Sequence, residues 1–290
     1  MHILPYFGTR RLDSVRPVDI AMFLASVRIS ALAPKYQLNL YGLLRLMFGV
    51  AVDYELIASS PVRPRVHRPH VDASEKPALT GDEVARVVAH VEPAWQTAIL
   101  CVALTGLRAG ELVALQWKHV DLKRRTVVVV QSLWRGQRVE PKTKASRAEV
   151  PVSDVLHDAL VGHRAGSGHT DPDDYVFGDP VGRPLSPDFL RTQVLYPALE
   201  RAGIPRVRRG SGLHLFRHTA ASLVHKHTGS LKFAQALLRH ARVSTTANVY
   251  THVSASESRG IAQALEDAIF SNCALPVLTN GLVTARIEQG

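Results

Sequence analysis

Apolar residues along most of this chain recur every three to four positions, the spacing of one face of an α-helix. Leu38, Tyr41, Leu44 and Phe48 set that rhythm and predict an amphipathic helix over 34–56. Upstream, Arg16-Pro17-Val18-Asp19 places a proline and an acid where helices begin, so 1–60 reads as short helices. Prolines 61, 64 and 69, mixed with Arg63, Arg65, His67 and Arg68, predict an extended basic linker, with a domain boundary near 70–77. The helical rhythm resumes at Leu79-Thr80-Gly81-Asp82-Glu83, a Thr-x-x-Glu capping box, and helices are expected to fill roughly 80–117. The period then changes. Thr126 to Gln131 is β-branched and apolar, Val150 closes a second such run, and Trp134-Arg135-Gly136-Gln137 suits a hairpin tip between them. Residues 124–153 are therefore expected to form a small antiparallel sheet. From Leu185 to Tyr250 the pattern is mostly helical, broken between Arg206 and Gly212. Ile261, Ala264, Leu265, Ala268 and Ile269 give a last helix an apolar face that its own domain or a neighbouring protomer must cover. The fold class expected is mainly α with a small antiparallel β-sheet, in two domains.

Composition narrows the function. A chain of 290 residues has room for two ordinary domains with real cores. Its formal net charge of +10 favours a polyanionic partner, nucleic acid before an anionic membrane surface. No apolar run approaches the ~18 residues of a membrane span, and the N-terminus lacks the basic-then-apolar order of a signal peptide. Two cysteines, Cys101 and Cys273, make neither a disulfide framework nor a zinc quartet. These features fit a soluble cytoplasmic protein.

The charge is not evenly spread. Between Arg201 and Tyr250 lie seven arginines, two lysines and five histidines but no acid. Guanidinium and imidazole groups suit phosphate oxygens, and the tyrosine that ends the block offers a phenol nucleophile. A solvated basic face would show the same excess, so other segments must decide. Thr105-Gly106-Leu107-Arg108-Ala109-Gly110-Glu111 sets an arginine at a helix start with an acid one turn on. Lys142 and Lys144 lie beyond the hairpin tip and, alone, are solvated lysines. His214 and Arg217 share a helix face; His214 and His218 have metal-ligand spacing, but a partnering glutamate and a third ligand are missing, so no metal is expected.

Together, Arg108, the Lys142 hairpin, His214-x-x-Arg217, Leu238-Arg239-His240 and Thr245-Thr246-x-x-x-Tyr250 occur in the order and approximate spacing of the tyrosine recombinases, the phage integrase family. The resemblance covers nearly the whole chain. Residues 79–255 resemble the catalytic domain, and 1–70 resemble an N-terminally shortened helical core-binding domain. Residues 71–78 form the linker, and 256–290 form a C-terminal helix and tail.

The resemblance implies that Tyr250 attacks the scissile phosphate to give a 3′-phosphotyrosyl link, and that Arg108 and Arg217 clamp the non-bridging oxygens. It further implies that His214 assists proton transfer, Lys142 protonates the 5′-hydroxyl leaving group, His240 bonds a phosphate oxygen and Glu111 orients its neighbours. Such chemistry is positioning plus electrostatic stabilisation. A phenol near pKa 10 needs the cationic, acid-free surroundings of the block to ionise. The covalent link stores the phosphodiester energy, so no cofactor, metal or ATP is implied. The partner implied is double-stranded DNA at recombination sites, bound as a homotetramer. An accessory DNA-bending or directionality protein and a nucleoid-associated location go with it.

Arg63, Arg65, Arg68, Arg206, Arg208, Arg209 and Arg242 are assigned to the DNA backbone. Three features depart from the family pattern. Arg239 stands where the family has glycine, and either strains that turn or adds a DNA contact. Lys144 competes with Lys142, which fits the Lys-Thr pattern better. The further N-terminal arm-binding domain of many members is missing. The alternatives are a type IB topoisomerase-like enzyme and a DNA-binding integrase remnant without strand exchange.

Overall fold

Residues 2–71, 78–134, 136–139, 148–206, 212–238 and 255–271 are described by a computed structural model, and they fall into two units, 1–75 and 76–290. The first unit contains helices α1 (Ile3–Phe7), α2 (Pro17–Ala25), α3 (Val27–Ser30), α4 (Pro34–Asp53) and α5 (Pro64–His67), with a 3₁₀ turn at Leu12–Ser14. Pro17 opens α2, and the Asp19 carboxylate accepts the Arg16 N–H at 2.8 Å and meets the Arg10 guanidinium at 3.1 Å. The Arg10 contact, then the Arg16 amide, hold its carboxyl below the usual range. Leu40, Tyr41, Leu44 and Phe48 of α4 are buried with Ile20, Phe23 and Ile29. The helix stops at Asp53, three residues short of the expected 56, because Tyr54 leaves helical geometry and Glu55 takes a positive φ of 57°.

The segment expected to be an extended linker is not extended. Pro64 begins the one-turn α5, Val62 and His67 are buried, and the His67 Nδ1 accepts the Arg63 N–H at 2.9 Å. A proline suits the first helical position as well as it suits a linker, and burial of Val62 and His67 selected the helix. Arg63, Arg65 and Arg68 remain exposed on it.

The second unit is built around α7 (Pro93–Thr105), on which every residue from Gln96 to Thr105 is buried. Helix α6 (Gly81–Ala89) has the expected capping box: the Thr80 Oγ1 accepts the Glu83 N–H at 3.2 Å, and the Glu83 carboxylate accepts the Thr80 N–H at 2.7 Å. After α7 come α8 (Ala109–Val113), a 3₁₀ turn at Trp117–His119, and strands β1 (Val120–Asp121), β2 (Thr126–Val129), β3 (Ser132–Trp134), β4 (Gln137–Val139) and β5 (Ala148–Pro151). Instead of one sheet over 124–153 there are two. Strands β1, β2 and β5 form an antiparallel sheet in the order β1-β2-β5, with Val127 opposite Val150. Strands β3 and β4 form a separate hairpin turned by Gly136 at φ 76°. Between them Gln131 turns from the sheet, its side-chain amide donating to the Ala114 carbonyl at 2.9 Å and the Gln116 side chain at 3.1 Å, and β3 packs on α8.

Helices α9 (Asp154–Gly166), α10 (Pro187–Phe189), α11 (Tyr196–Arg201), α12 (His214–Thr228), α13 (Leu231–Leu238) and α14 (Ala255–Phe270) complete the unit, with a π-helical stretch at Leu190–Leu195. The apolar face of α14 is covered by its own unit: Ile261, Leu265 and Ile269 are buried in the core that α7 and α12 share. Gly81 permits this contact, since a Cβ there would stand 1.9 Å from the Ala268 carbonyl oxygen. Glu266, also buried, accepts the Val155 N–H at 2.8 Å in the first turn of α9. It supplies a cap that the Ser153 side chain does not make. The Leu79 N–H donates to the Thr219 Oγ1 at 2.9 Å, fastening the start of α6 to α12. Among the described residues no helix is long and apolar enough to cross a membrane.

His163 on α9 sits with Phe177 at 5.4 Å and Trp117 at 6.2 Å between ring centroids, its Nε2–H donating to the Val176 carbonyl at 2.7 Å. Burial keeps its pKa below the ordinary 6.5. The unfolded chain therefore takes up a proton near pH 6.5 that the folded chain does not, and the second unit loses stability as pH falls below that value. Denaturant titrations from pH 8 to pH 5 should show this loss, and His163→Phe should flatten part of the slope. An unchanged slope in the variant would refute the assignment.

Candidate active site

Arg108 is placed by the way α7 ends. Gly106 takes the left-handed conformation (φ 61°) that stops the helix, and Arg108 becomes the N-cap of α8 two residues later. Glu111, one turn on, accepts the Arg108 backbone N–H at 2.9 Å through one carboxylate oxygen and the guanidinium at 2.8 Å through the other. The carboxylate side chain is only 10% exposed and the guanidinium side chain 44%. So exposed a pair contributes little stability. Its effect is orientation: one edge of the guanidinium is held and the rest stays open to an anion.

Gly110 sets how α8 sits on the hairpin. A Cβ there would lie 2.5 Å from the Ser132 Oγ and 2.6 Å from the Leu133 carbonyl oxygen, so only glycine lets the α8 backbone rest directly on β3. The loop carrying Arg108 and the hairpin leading toward Lys142 are thereby packed together.

Arg217 lies in the interior, 3% exposed, on the buried side of α12. Its guanidinium donates through Nη1 to the Gly106 carbonyl and through Nη2 to the Leu238 carbonyl. One buried cation thus joins the C-terminal end of α7, next to Arg108, to the C-terminal end of α13 at Leu238. Cations suit both ends, since helix C-termini carry partial negative charge and unpaired carbonyls. His214 opens α12 three residues before Arg217 and is exposed. Arg206 is exposed, its guanidinium 4.9 Å from the centre of the Tyr196 ring.

Of the residues singled out from the sequence, Arg108, Glu111, His214 and Arg217 fall in the second unit, and the Arg217 contacts bring the Arg108 loop and the end of α13 together. Arg63, Arg65 and Arg68 belong to the first unit. Lys142, Lys144, Arg208, Arg209, Arg239, His240, Arg242 and Tyr250 lie outside the described residues. Gly110, Thr219 and Glu266 act in positioning and were missed. Gly110 left a trace, as a glycine inside a helical pattern. Among the described residues, no group of three histidine, cysteine or acidic side chains could hold a metal ion. Burial pushes the Cys101 thiol up to about 12, which removes it as a nucleophile.

The sequence pattern of the phage integrase family matches residues 77–257, more than half of the chain. The chain belongs to the phage integrase family. Its tyrosine recombinases are enzymes that cut and rejoin DNA. The integrase chain is 26% identical over 288 residues to a tyrosine recombinase XerC-like protein of Caldanaerobacter subterraneus subsp. tengcongensis, covering 89% of this chain and 72% of that protein. It is 26% identical over 285 residues to the ICEBs1 integrase of Bacillus subtilis, covering 92% and 75%. Among solved structures, the Tn1549 transposon integrase in complex with a circular intermediate DNA superposes with a TM-score of 0.67 at 20% identity, covering 88% of this chain and 86% of that one. A lambda integrase dimer bound to a COC′ core site gives 0.59 at 19%, covering 83% and 84%. These superpositions establish the integrase fold, mostly helical with small antiparallel sheets. The topoisomerase alternative is not favoured.

Replacing Arg217 with alanine would leave two interior carbonyls without partners. Urea denaturation should show a loss of roughly 2–4 kcal/mol, with a smaller loss for Arg217→Lys, which reaches one carbonyl but cannot fork to both. Arg108→Ala should change stability by less than about 0.5 kcal/mol. Equal effects at the two arginines would contradict the division between an interior tie and an open cation.

Proposed function

We propose that this integrase is a site-specific DNA recombinase that integrates or excises a mobile element through a 3′-phosphotyrosyl intermediate at Tyr250. The observation that carries the reading is the Arg217 tie, which holds the Arg108 loop beside the end of α13 in the chain order the family motifs require. In this reading Arg108 and Arg217 bind the non-bridging oxygens of the scissile phosphate. His214 and His240 serve proton transfer and phosphate binding, Lys142 (Lys144 being the neighbouring candidate) protonates the leaving 5′-hydroxyl, and Glu111 keeps Arg108 aimed. The substrate is double-stranded DNA, acted on by a homotetramer with an accessory DNA-bending or directionality protein, in the cytoplasm at the nucleoid. The DNA-bound state of the Tn1549 and lambda integrases supports the choice of partner.

The decisive experiment is trapping on a nicked suicide substrate carrying the recombination site. The parent chain should form a covalent protein–DNA adduct, and Tyr250→Phe should form none while binding the same DNA with unchanged affinity. Adduct formation by the variant would remove Tyr250 from its role, and loss of DNA binding by it would show a structural effect instead.

The exposed Arg63, Arg65 and Arg68 are proposed to contact backbone phosphates together with Arg206, Arg208, Arg209, Arg239 and Arg242. Neutralising Arg63, Arg65 and Arg68 to glutamine should weaken binding on all sequences alike. It should also lower the slope of log affinity against log salt by roughly 2–3. An unchanged slope would separate these arginines from DNA.

A further inference from the structure

The β3–β4 hairpin has two unlike faces. Its register pairs Ser132 with Val139, Leu133 with Arg138 and Trp134 with Gln137. Strand alternation therefore puts Leu133 and Arg138 on one face and Ser132, Trp134, Gln137 and Val139 on the other. The first face is fastened to the unit. Leu133 is buried in its core, and the Arg138 guanidinium donates to the Tyr175 hydroxyl at 3.0 Å. The second face meets solvent: Trp134 is 62% exposed, and Gln137 and Val139 are exposed with it. The chain has three tryptophans, and the other two lie inward. Trp117 is buried, and Trp95 packs on Phe189 at 5.2 Å between ring centroids. Turning the third indole outward leaves a large flat apolar surface in water.

Position and charge select what that indole meets. The hairpin joins the Arg108 loop at Ser132, whose Oγ would stand 2.5 Å from a Cβ on Gly110, two residues past Arg108. Trp134 shares the Ser132 face and lies two residues farther out, roughly 7 Å along the strand. That is about two nucleotide steps of a DNA strand, at ~3.4 Å each. The segment from Ser132 to Val139 holds two arginines and no acid, in a chain of net charge +10. A cationic, acid-free surface that carries an outward aromatic ring is the make-up of a platform on which nucleic-acid bases stack.

We propose that Trp134 stacks on a DNA base about two nucleotides from the phosphate held at Arg108, and so positions the strand end that cleavage sets free. The proposal rests on the recombinase reading. Exchanging strands requires the bases beside the cut to leave their neighbours, which strips them of stacking on one side. An indole on a fastened hairpin replaces that stacking whatever the sequence, since every base has a π-face. Gln137, directly across from Trp134, brings an amide to the same base. Trp134 is a positioning residue, for it makes and breaks no bond.

The test uses the full chain and the nicked suicide substrate, with tryptophan emission and adduct formation as readouts. Substrate binding should quench the emission of the parent. Trp134→Phe should remove that quenching, leaving the emission of Trp95 and Trp117 indifferent to DNA. Adduct formation should fall roughly 5- to 150-fold in Trp134→Ala. It should largely recover in Trp134→Tyr and Trp134→Phe and stay low in Trp134→Leu, which keeps bulk without a ring. The thermal midpoint should hold in these variants, because the side chain is exposed; if alanine lowers it, the comparison of phenylalanine with leucine decides alone. Quenching that persists in Trp134→Phe overturns the proposal. So does adduct formation by a stable Trp134→Ala at the parent's rate, or recovery by leucine equal to that by tyrosine. If the parent forms no adduct at Tyr250, the recombinase reading fails by itself. The quenching then still decides whether Trp134 meets DNA, its loss in Trp134→Phe supporting the contact and its absence from the parent overturning it.

Discussion

The second unit depends on a guanidinium held in the interior. Arg217 spends two of its donors on the carbonyls of Gly106 and Leu238, where α7 and α13 end and where backbone oxygens lack helical partners. A lysine could satisfy one carbonyl, and an apolar side chain neither. The residue proposed to bind phosphate is thus also the residue that joins the ends of α7 and α13. The open cation, Arg108, needs the opposite treatment: it is held at one edge by Glu111 and left accessible at the other. The buried arginine joins the ends of two helices, and the exposed one keeps an open edge.

Small residues determine how closely the surrounding elements approach. Gly110 brings α8 onto β3, and Gly81 brings α6 onto α14, in both cases to distances no side chain would tolerate. Between them they set the Arg108 loop and the last helix at defined depth against the core around α7. The same packing shows why the C-terminal helix is no appendage: its apolar face completes the core and its Glu266 caps another helix.

What the sequence made legible was local. The Thr80–Glu83 box, the Pro17 start, the Gly136 turn and the Leu38-to-Phe48 face each depend on residues a few positions apart, and the structure has all of them. What stayed hidden depended on distant partners. Gln131, where the two sheets part, bonds Ala114 17 residues away, and Arg217 finds its acceptors 111 and 21 residues away. The proline-rich stretch misled because proline serves a helix start and a linker equally well, and only the burial of Val62 and His67 distinguishes the two. For the site, the order of five motif elements pointed to the family, but the tie that Arg217 makes between two helix ends had no local trace. Motif order alone carries Lys142, His240 and Tyr250.

The bond from Val155 to Glu266 spans 111 residues and that from Leu79 to Thr219 spans 140. As the chain leaves the ribosome, α6, α7 and α9 are made long before the helices that fasten and cap them. Contacts so far apart in sequence close slowly, and until α14 emerges the core around α7 lacks its cover. The second unit is therefore completed by its own last helix, so a nascent chain that stops short of it holds Arg108 and Arg217 without the scaffold that sets them.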